Sequence, residues 1–341
     1  MRRSLTLLLA VAVLAFGFAG AHWLQRKFFE PGPLTGAIRV DVEPGSSVRG
    51  VLTRLAERGA IEAPRATELY LRLHGRRLQI KAGTYEFPPR ASAADILRKL
   101  ERGDVILEQL TVVEGSTFAQ LRHALETHPA VVSTLRAKTD ADVMTAIGHG
   151  GQLPEGRFFP DTYRFAARTP DVEILKLAYG KMQQRLDTAW RERREGLPLQ
   201  TPGEALTLAS IVEKETGLAS ERARIAGVFI ARLRKGMRLQ SDPTVIYGIG
   251  EKYDGDIRTR DLSTDTPYNT YTRAGLPPTP IALPGKDSVM AAVQPDETGA
   301  LYFVAIGDGT GAHYFSSTLE EHNEAVKRYL ARLRKQAAGG S

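Results

Sequence analysis

The segment Leu206-Thr207-Leu208-Ala209-Ser210-Ile211-Val212-Glu213-Lys214-Glu215-Thr216 sets two carboxylates at the end of an apolar run. Successive helical residues turn by about 100°, so Glu213 and Glu215 stand about 200° apart and cannot share a face. Counting back by threes and fours, Glu215 continues the stripe of Leu208, Ile211 and Val212, while Glu213 lies nearer Leu206, Ala209 and Ser210. Glu215 is therefore the carboxyl expected at an apolar edge. Partial desolvation disfavours its charged form, raises its pKa and lets it hold a proton near neutral pH. A general acid needs that state to protonate a glycosidic oxygen, because the alcohol leaves poorly as an alkoxide. The same tripeptide also reads as a solvated helix end, and spacing alone does not separate the two.

Other side chains could complete a site around it. In Ser241-Asp242-Pro243-Thr244, Asp242 sits where an N-cap precedes a proline at the first helical position, which suits capping better than acid–base work. The Gln240-Ser241-Asp242 turn can still line a cleft. Tyr268, Asn269, Thr270 and Tyr271 combine aromatic faces with amide and hydroxyl groups, suited to stacking on sugars or to packing a loop against its own domain. With Glu213, Thr244 and Tyr247 they make up the candidate substrate-binding set. His313 and His322 fall on a strand and a helix without metal-ligand spacing and read as structural, so neither a metal nor a cofactor is expected. No cysteine is present, which removes thiolate nucleophiles, disulfides and cysteine metal sites.

The elements that must position these groups follow from periodicity. Val40-Asp41-Val42-Glu43-Pro44-Gly45-Ser46-Ser47 leads into an amphipathic stretch, and Leu110-Thr111-Val112-Val113-Glu114-Gly115-Ser116-Thr117 does the same: strand, glycine turn, hydroxyl N-cap, helix. The first copy continues with a helix over 63–74 and a strand at Gly83-Thr84-Tyr85-Glu86-Phe87, giving a β-α-α-β order that resembles the sugar-binding LysM module. Helices are predicted from Ile174 to Trp190, over 203–215 and over 221–235, the last stopped by Gly236. Residues 237–299, rich in Gly, Pro, Thr, Tyr and Asp, predict long ordered loops over a helical base. A hairpin around Gly307-Asp308-Gly309 and a helix capped by Thr318 and Glu321 close the chain. The fold class is α+β.

At the N-terminus, Met1-Arg2-Arg3 precedes an apolar run from Leu5 to Ala21, then Trp23 and Arg26-Lys27. The run approaches the ~18–20 residues of a single span, and arginines before it favour a cytoplasmic N-terminus with an exported body. Ala19-Gly20-Ala21 also fits a signal-peptide cleavage site, though Trp23 suits an interfacial anchor. Lys plus Arg number 46 against 39 Asp plus Glu. That excess suits anionic lipid or an acidic polymer, and export removes nucleic acid from the list. The expected organisation is an anchor over 1–27, a tether over 28–36 containing Pro31-Gly32-Pro33, a LysM-like module over 37–107, a second strand-helix repeat with connecting helices over 108–150, a catalytic α+β domain over 151–337 and a flexible tail over 338–341.

Ala209-Ser210-Ile211-Val212-Glu213-Lys214-Glu215-Thr216, Glu221-Arg222, Gly236-Met237-Arg238-Leu239-Gln240-Ser241-Asp242-Pro243-Thr244-Val245-Ile246-Tyr247-Gly248, Tyr268-Asn269-Thr270-Tyr271, Gly275-Leu276-Pro277-Pro278 and Pro160-Asp161-Thr162 together resemble the YceG-like (MltG) family of endolytic murein transglycosylases. The resemblance runs over nearly the whole chain and implies that Glu215, the second glutamate of Glu-Lys-Glu, is the essential acid. It implies cleavage of the β-1,4 MurNAc-GlcNAc bond of peptidoglycan strands with a 1,6-anhydro end, on nascent strands and ending their elongation. It further implies a single-pass inner-membrane protein with a periplasmic body, acting beside glycan-polymerising penicillin-binding proteins. A non-catalytic membrane-anchored wall-binding scaffold is the alternative, and an ordinary glycoside hydrolase would differ in leaving a reducing end.

Overall fold

The protein's structure, a computed structural model, describes residues 2–76 and 78–339. Met1 of the N-terminal signal and Gly340 and Ser341 of the expected tail lie outside the described residues. The chain divides into two compact units, residues 1–108 with 164–169 and residues 109–163 with 170–341.

The first unit begins with helix α1 (Arg2–Phe29), whose stretch Leu8–Phe29 is long and apolar enough to cross a membrane. Strand β1 (Ile38–Val42), helices α2 (Val48–Glu57) and α3 (Pro64–Leu73) and strand β2 (Gly83–Phe87) follow in the β-α-α-β order expected, and α4 (Ala93–Arg102) completes the unit. β1 and β2 pair antiparallel with Val40 opposite Tyr85. Alternation sends Val40, Val42, Tyr85 and Phe87 inward, where Val51, Leu52 and Leu55 of α2 and Ile96, Leu97 and Leu100 of α4 meet them. Local chemistry fixes the helix starts: Ser47 accepts the Gly50 N–H at 3.1 Å, and Ser92 forms a reciprocal box with Asp95.

Residues 28–36 are not a tether. Phe28 is 1% exposed and stacks on Tyr70 with ring centroids 4.0 Å apart, Leu34 is 5% exposed, and the Gly32 N–H donates to the Arg90 carbonyl at 3.1 Å. A Cβ on Gly32 would stand 2.2 Å from the Ala91 carbonyl oxygen, so only glycine lets the chain pass there. The segment lacks periodicity because its apolar residues are spaced by prolines. Each buried side chain still contributes about 1.5–3 kcal/mol, enough to hold the segment down.

The second unit takes in the end of β3 (Leu107–Thr111), α5 (Phe118–Thr127), β4 (Val131–Val132), α6 (Asp140–Ala146), the start of β5 (Thr162–Ala166), the end of β6 (Thr169–Pro170) and α7 (Asp171–Arg191). It continues with α8 (Pro202–Glu215), α9 (Arg222–Arg234), α10 (Asp242–Ile249), the short α11 (Thr259–Ser263), α12 (Lys286–Val293), the hairpin β7 (Tyr302–Ala305) with β8 (His313–Ser316), and α13 (Leu319–Gly339). Residues 338 and 339, expected in a tail, are the last turn of α13. α8 is the centre of this unit. Thr201 caps it by accepting the Glu204 N–H, Pro202 opens it, and every residue from Ala205 to Val212 is buried between α7, α9, α10 and α12.

α12 lies inside the region expected to be loops. Its Ser288, Val289, Ala291 and Ala292 are small enough to bring it close against α8, and that small-residue pattern gives weak periodicity. α9 approaches the chain just as closely on another side: the Asp296 N–H donates to the Ala223 carbonyl at 2.8 Å, and a Cβ on Gly227 would stand 2.1 Å from the Asp296 carbonyl oxygen. Gly227→Ala is expected to cost about 1–3 kcal/mol by overpacking; urea unfolding measures it, and an unchanged midpoint would mean that the 296 segment yields freely.

Candidate active site

Because α8 is buried almost to its end, its last turn decides what its carboxylates meet. Glu213 is spent on structure. Its side chain is 5% exposed, one oxygen accepts from Arg222 Nη2 at 3.1 Å, and the other accepts the Gly285 N–H at 2.8 Å. Arg222 also faces Glu114 at 3.6 Å and Asp287 at 3.5 Å. Glu213 therefore presents no free oxygen to a sugar, and its place in the candidate binding set is corrected to a packing role.

Glu215 turns the other way, as helical phase requires. Its Oε1 accepts the Ser241 hydroxyl, and no other hydrogen bond is formed by the carboxyl among the described residues. Burial pushes its pKa up to about 7, helped by the negative charge of Asp242; the Ser241 hydrogen bond and the Arg232 guanidinium pull in the opposite direction but do not prevail. The group is thus protonated about half the time at neutral pH.

Ser241 is held rigidly. It is 1% exposed, its N–H donates to Thr270 Oγ1 at 3.0 Å, and its carbonyl accepts from the Thr244 hydroxyl at 2.7 Å. Thr244 Oγ1 and Thr270 Oγ1 lie 2.9 Å apart, and the Gln240 N–H donates to the Thr270 carbonyl at 3.2 Å. Gln240 occupies the left-handed region at φ 52° and remains exposed. Arg232, 7% exposed, clamps the turn by donating to the Leu239 carbonyl at 2.8 Å and, from Nε, to the Leu301 carbonyl at 2.7 Å.

The remaining candidates divide in two. Asn269 is 1% exposed and uses its amide to hold the loop, donating to the carbonyls of Asp261, Leu262 and Thr264 and accepting the Tyr271 N–H at 2.8 Å. Asn269, Thr270 and Thr244 therefore shape the site from inside and have no surface for a ligand. Asp242 opens α10 after Ser241, which takes the N-cap position; instead of capping, its Oδ1 accepts the Tyr271 hydroxyl at 2.5 Å. Asp242, Tyr271, Gln240 and Glu215 are the members left with accessible surface around the acid.

Tyr247 and Tyr268 stand elsewhere. Their rings meet edge-on at 4.8 Å on the wall of a cleft of about 960 Å³, also lined by Phe118, Leu153, Pro154, Ile246, Ile281 and Lys214. At its floor lies Glu155, which the sequence reading passed over. It is 8% exposed, accepting the Phe118 N–H at 3.0 Å and the Tyr247 hydroxyl at 3.1 Å, and burial pushes its pKa up to about 7. The available signal was a single acid set among Leu153, Pro154, Phe158 and Phe159. His313 lies 2.7 Å from Glu221, and His322 stacks on Tyr302 at 5.1 Å; both belong to the packing of the hairpin.

With this geometry in place, the chain can be compared with known proteins. The YceG-like family profile matches residues 40–328. A Bacillus subtilis protein named endolytic murein transglycosylase is 31% identical over 334 residues, 92% of this chain and 91% of that protein. A Streptococcus pneumoniae protein of the same name is 27% identical over 327 residues; the match takes in 86% of this chain and 58% of the pneumococcal one. The solved structure of a yceG-like protein from Listeria monocytogenes is 30% identical, with a TM-score of 0.52 over 84% of this chain and 98% of that one.

Proposed function

The chain belongs to the YceG-like family, and on that premise we propose that it is a peptidoglycan lytic transglycosylase whose acid is Glu215. The observation that carries this reading is the state of Glu215: a carboxyl raised to about 7, with one oxygen tied to Ser241 and the other without a hydrogen-bond partner among the described residues. With Oε1 engaged as an acceptor, the proton resides on Oε2. Glu215 donates it to the oxygen between MurNAc and GlcNAc as the glycosidic bond breaks. The resulting carboxylate, its charge eased by Arg232, then takes the proton of the muramic C6 hydroxyl as that oxygen bonds to the anomeric carbon. The product is a 1,6-anhydroMurNAc end, and no water is consumed. An internal nucleophile replaces the second carboxylate that most glycosidases need, because its effective concentration is set by geometry.

The apolar stretch Leu8–Phe29 supports a single-pass anchor in the inner membrane with a periplasmic body. The β1-α2-α3-β2 order supports a LysM-like, strand-holding role for the first unit. Action on nascent strands, ending their elongation beside glycan-polymerising penicillin-binding proteins, is the family's expected context for such an activity.

Mass spectrometry of peptidoglycan digested by the intact protein tests the reaction: anhydro ends are expected, and reducing ends would make it a hydrolase. A folded protein that cuts nothing would make it a scaffold. A pH profile gives a second check. Because Glu215 must be protonated to donate, kcat/KM should decline above about pH 7. Ser241→Ala removes a hydrogen bond that favours the carboxylate, so the alkaline limb should move upward by about one unit. A limb that stayed in place would leave Ser241 without influence on the acid.

A further inference from the structure

The Glu155 cleft is not used by the chemistry described above. Burying a carboxyl is costly, and this one is offset by the backbone N–H groups of Phe118 and Gly156 and by the Tyr247 phenol, with no cation partner among the described residues. The loop that carries it is fixed: Gly156 sits at φ 79°, and a Cβ there would stand 2.4 Å from Pro280. A desolvated carboxyl held in a cleft is a candidate binding group. The cleft, at about 960 Å³, falls at the upper end of ligand-pocket sizes. Its walls of Leu153, Pro154, Ile246, Tyr247 and Tyr268 suit the apolar face of a pyranose and an acetyl methyl.

The rim adds a charge. Lys214 lies between two glutamates, yet it pairs with neither, since Arg222 holds Glu213 and Ser241 holds Glu215. Among the described residues its Nζ reaches only the Gly115 carbonyl, at 3.3 Å, and its side chain is exposed. Two acids share the rim: Asp140, paired with Arg122 at 2.9 Å, and the exposed Glu251. Among the described residues lining the cleft, Lys214 is therefore the cation available to a ligand carboxylate. α10 ties the cleft to the acid, because Ser241 at its start holds Glu215 and Tyr247, six residues on and about 9 Å along the axis, holds Glu155.

Resting on the transglycosylase reading, we propose that this cleft is the subsite for the peptide-bearing N-acetylated sugar of the strand, with Glu155 bonded to its amide and Lys214 to a stem-peptide carboxylate. A carboxyl that is neutral about half the time offers an amide both a donor and an acceptor. The full-length Glu215→Gln protein in detergent provides a binding assay free of cutting, with strand fragments either carrying stem peptides or stripped of them by an amidase. Peptide-bearing fragments should bind about tenfold tighter than stripped ones, about 1.4 kcal/mol. Adding Lys214→Met should abolish that preference. Glu155→Leu, which keeps neither donor nor acceptor, should weaken both ligands about tenfold, and Ile246→Trp, which fills the cleft from a wall, should do so without touching a buried charge. Equal affinity for both fragments, a preference that survives Lys214→Met, or unchanged binding to Ile246→Trp would each overturn the subsite. Failure of the transglycosylase reading shows separately, as the absence of anhydro ends from the intact protein.

Discussion

Replacing Glu215 by glutamine is expected to eliminate anhydro ends, with kcat lowered by about 10²–10⁴-fold or more, while the protein stays folded and continues to bind strands. Glutamine keeps the shape and still accepts the Ser241 hydroxyl, but has no acidic proton to give. The same substitution should stabilise the fold at alkaline pH. Glu215 has a folded-state pKa near 7, above its ordinary 4.5. Its favourable, protonated state is fully available below about pH 4.5, and that contribution is lost as pH rises through 7. Above pH 8 the native protein therefore carries a penalty of about 3 kcal/mol that glutamine avoids. Glu215→Gln should melt several degrees higher at pH 8.5 and at the same temperature as the native protein at pH 4. Persistent anhydro products in this variant would remove Glu215 from the role of acid, and a pH-independent shift in melting would mean that it is not desolvated.

The largest loss of stability is expected from Arg222→Met. Arg222 faces Glu213, Glu114 and Asp287 together, and its removal leaves the 5%-exposed side chain of Glu213 as a buried charge beside like charges. Burial already holds Glu114 above its ordinary range, with the charge of Glu213 adding to the effect. Breaking such a pair from the cation side costs about 3–5 kcal/mol. Without the arginine, Glu114 loses the positive charge that now offsets part of its upward shift and its folded-state pKa rises further. The deficit should therefore be greatest at pH 7 and above and should shrink as pH falls and the acids take up protons. Glu213→Gln should be milder, because Arg222 keeps two carboxylates, and it should retain anhydro products. Urea titrations at pH 5 and pH 8 separate these cases; a pH-independent deficit in Arg222→Met would point to lost packing instead of lost charge pairing.

Where function could be read in the sequence, it was through local periodicity. The opposition of Glu213 and Glu215 follows from the 3.6-residue turn, and the structure sends one to Arg222 and the other to Ser241. Helix starts at Ser47 and Thr117 and the hairpin before α13 are likewise set by neighbouring residues. Groups whose partners are distant in sequence were not legible. Glu155 acquires its character from Phe118 and Tyr247, 37 and 92 residues away. Asn269 and Thr270 look like sugar ligands because amides and hydroxyls serve sugars and buried loops equally well; here they satisfy backbone groups. α12 and the 28–36 segment escaped notice because small residues and prolines blur the apolar pattern.

The seating of Phe28 in the first unit's core has a mechanical consequence. A helix that ends inside a folded body transmits torque and tilt, whereas a slack linker dissipates them. α1 and the β1-β2 unit accordingly behave as one lever: as the helix leans, the unit must lean with it, and its height above the end of the apolar stretch is fixed by the helix itself. A handful of flexible residues inserted ahead of Lys27, before the seated Phe28, would uncouple the two and turn a rigid mount into a leash.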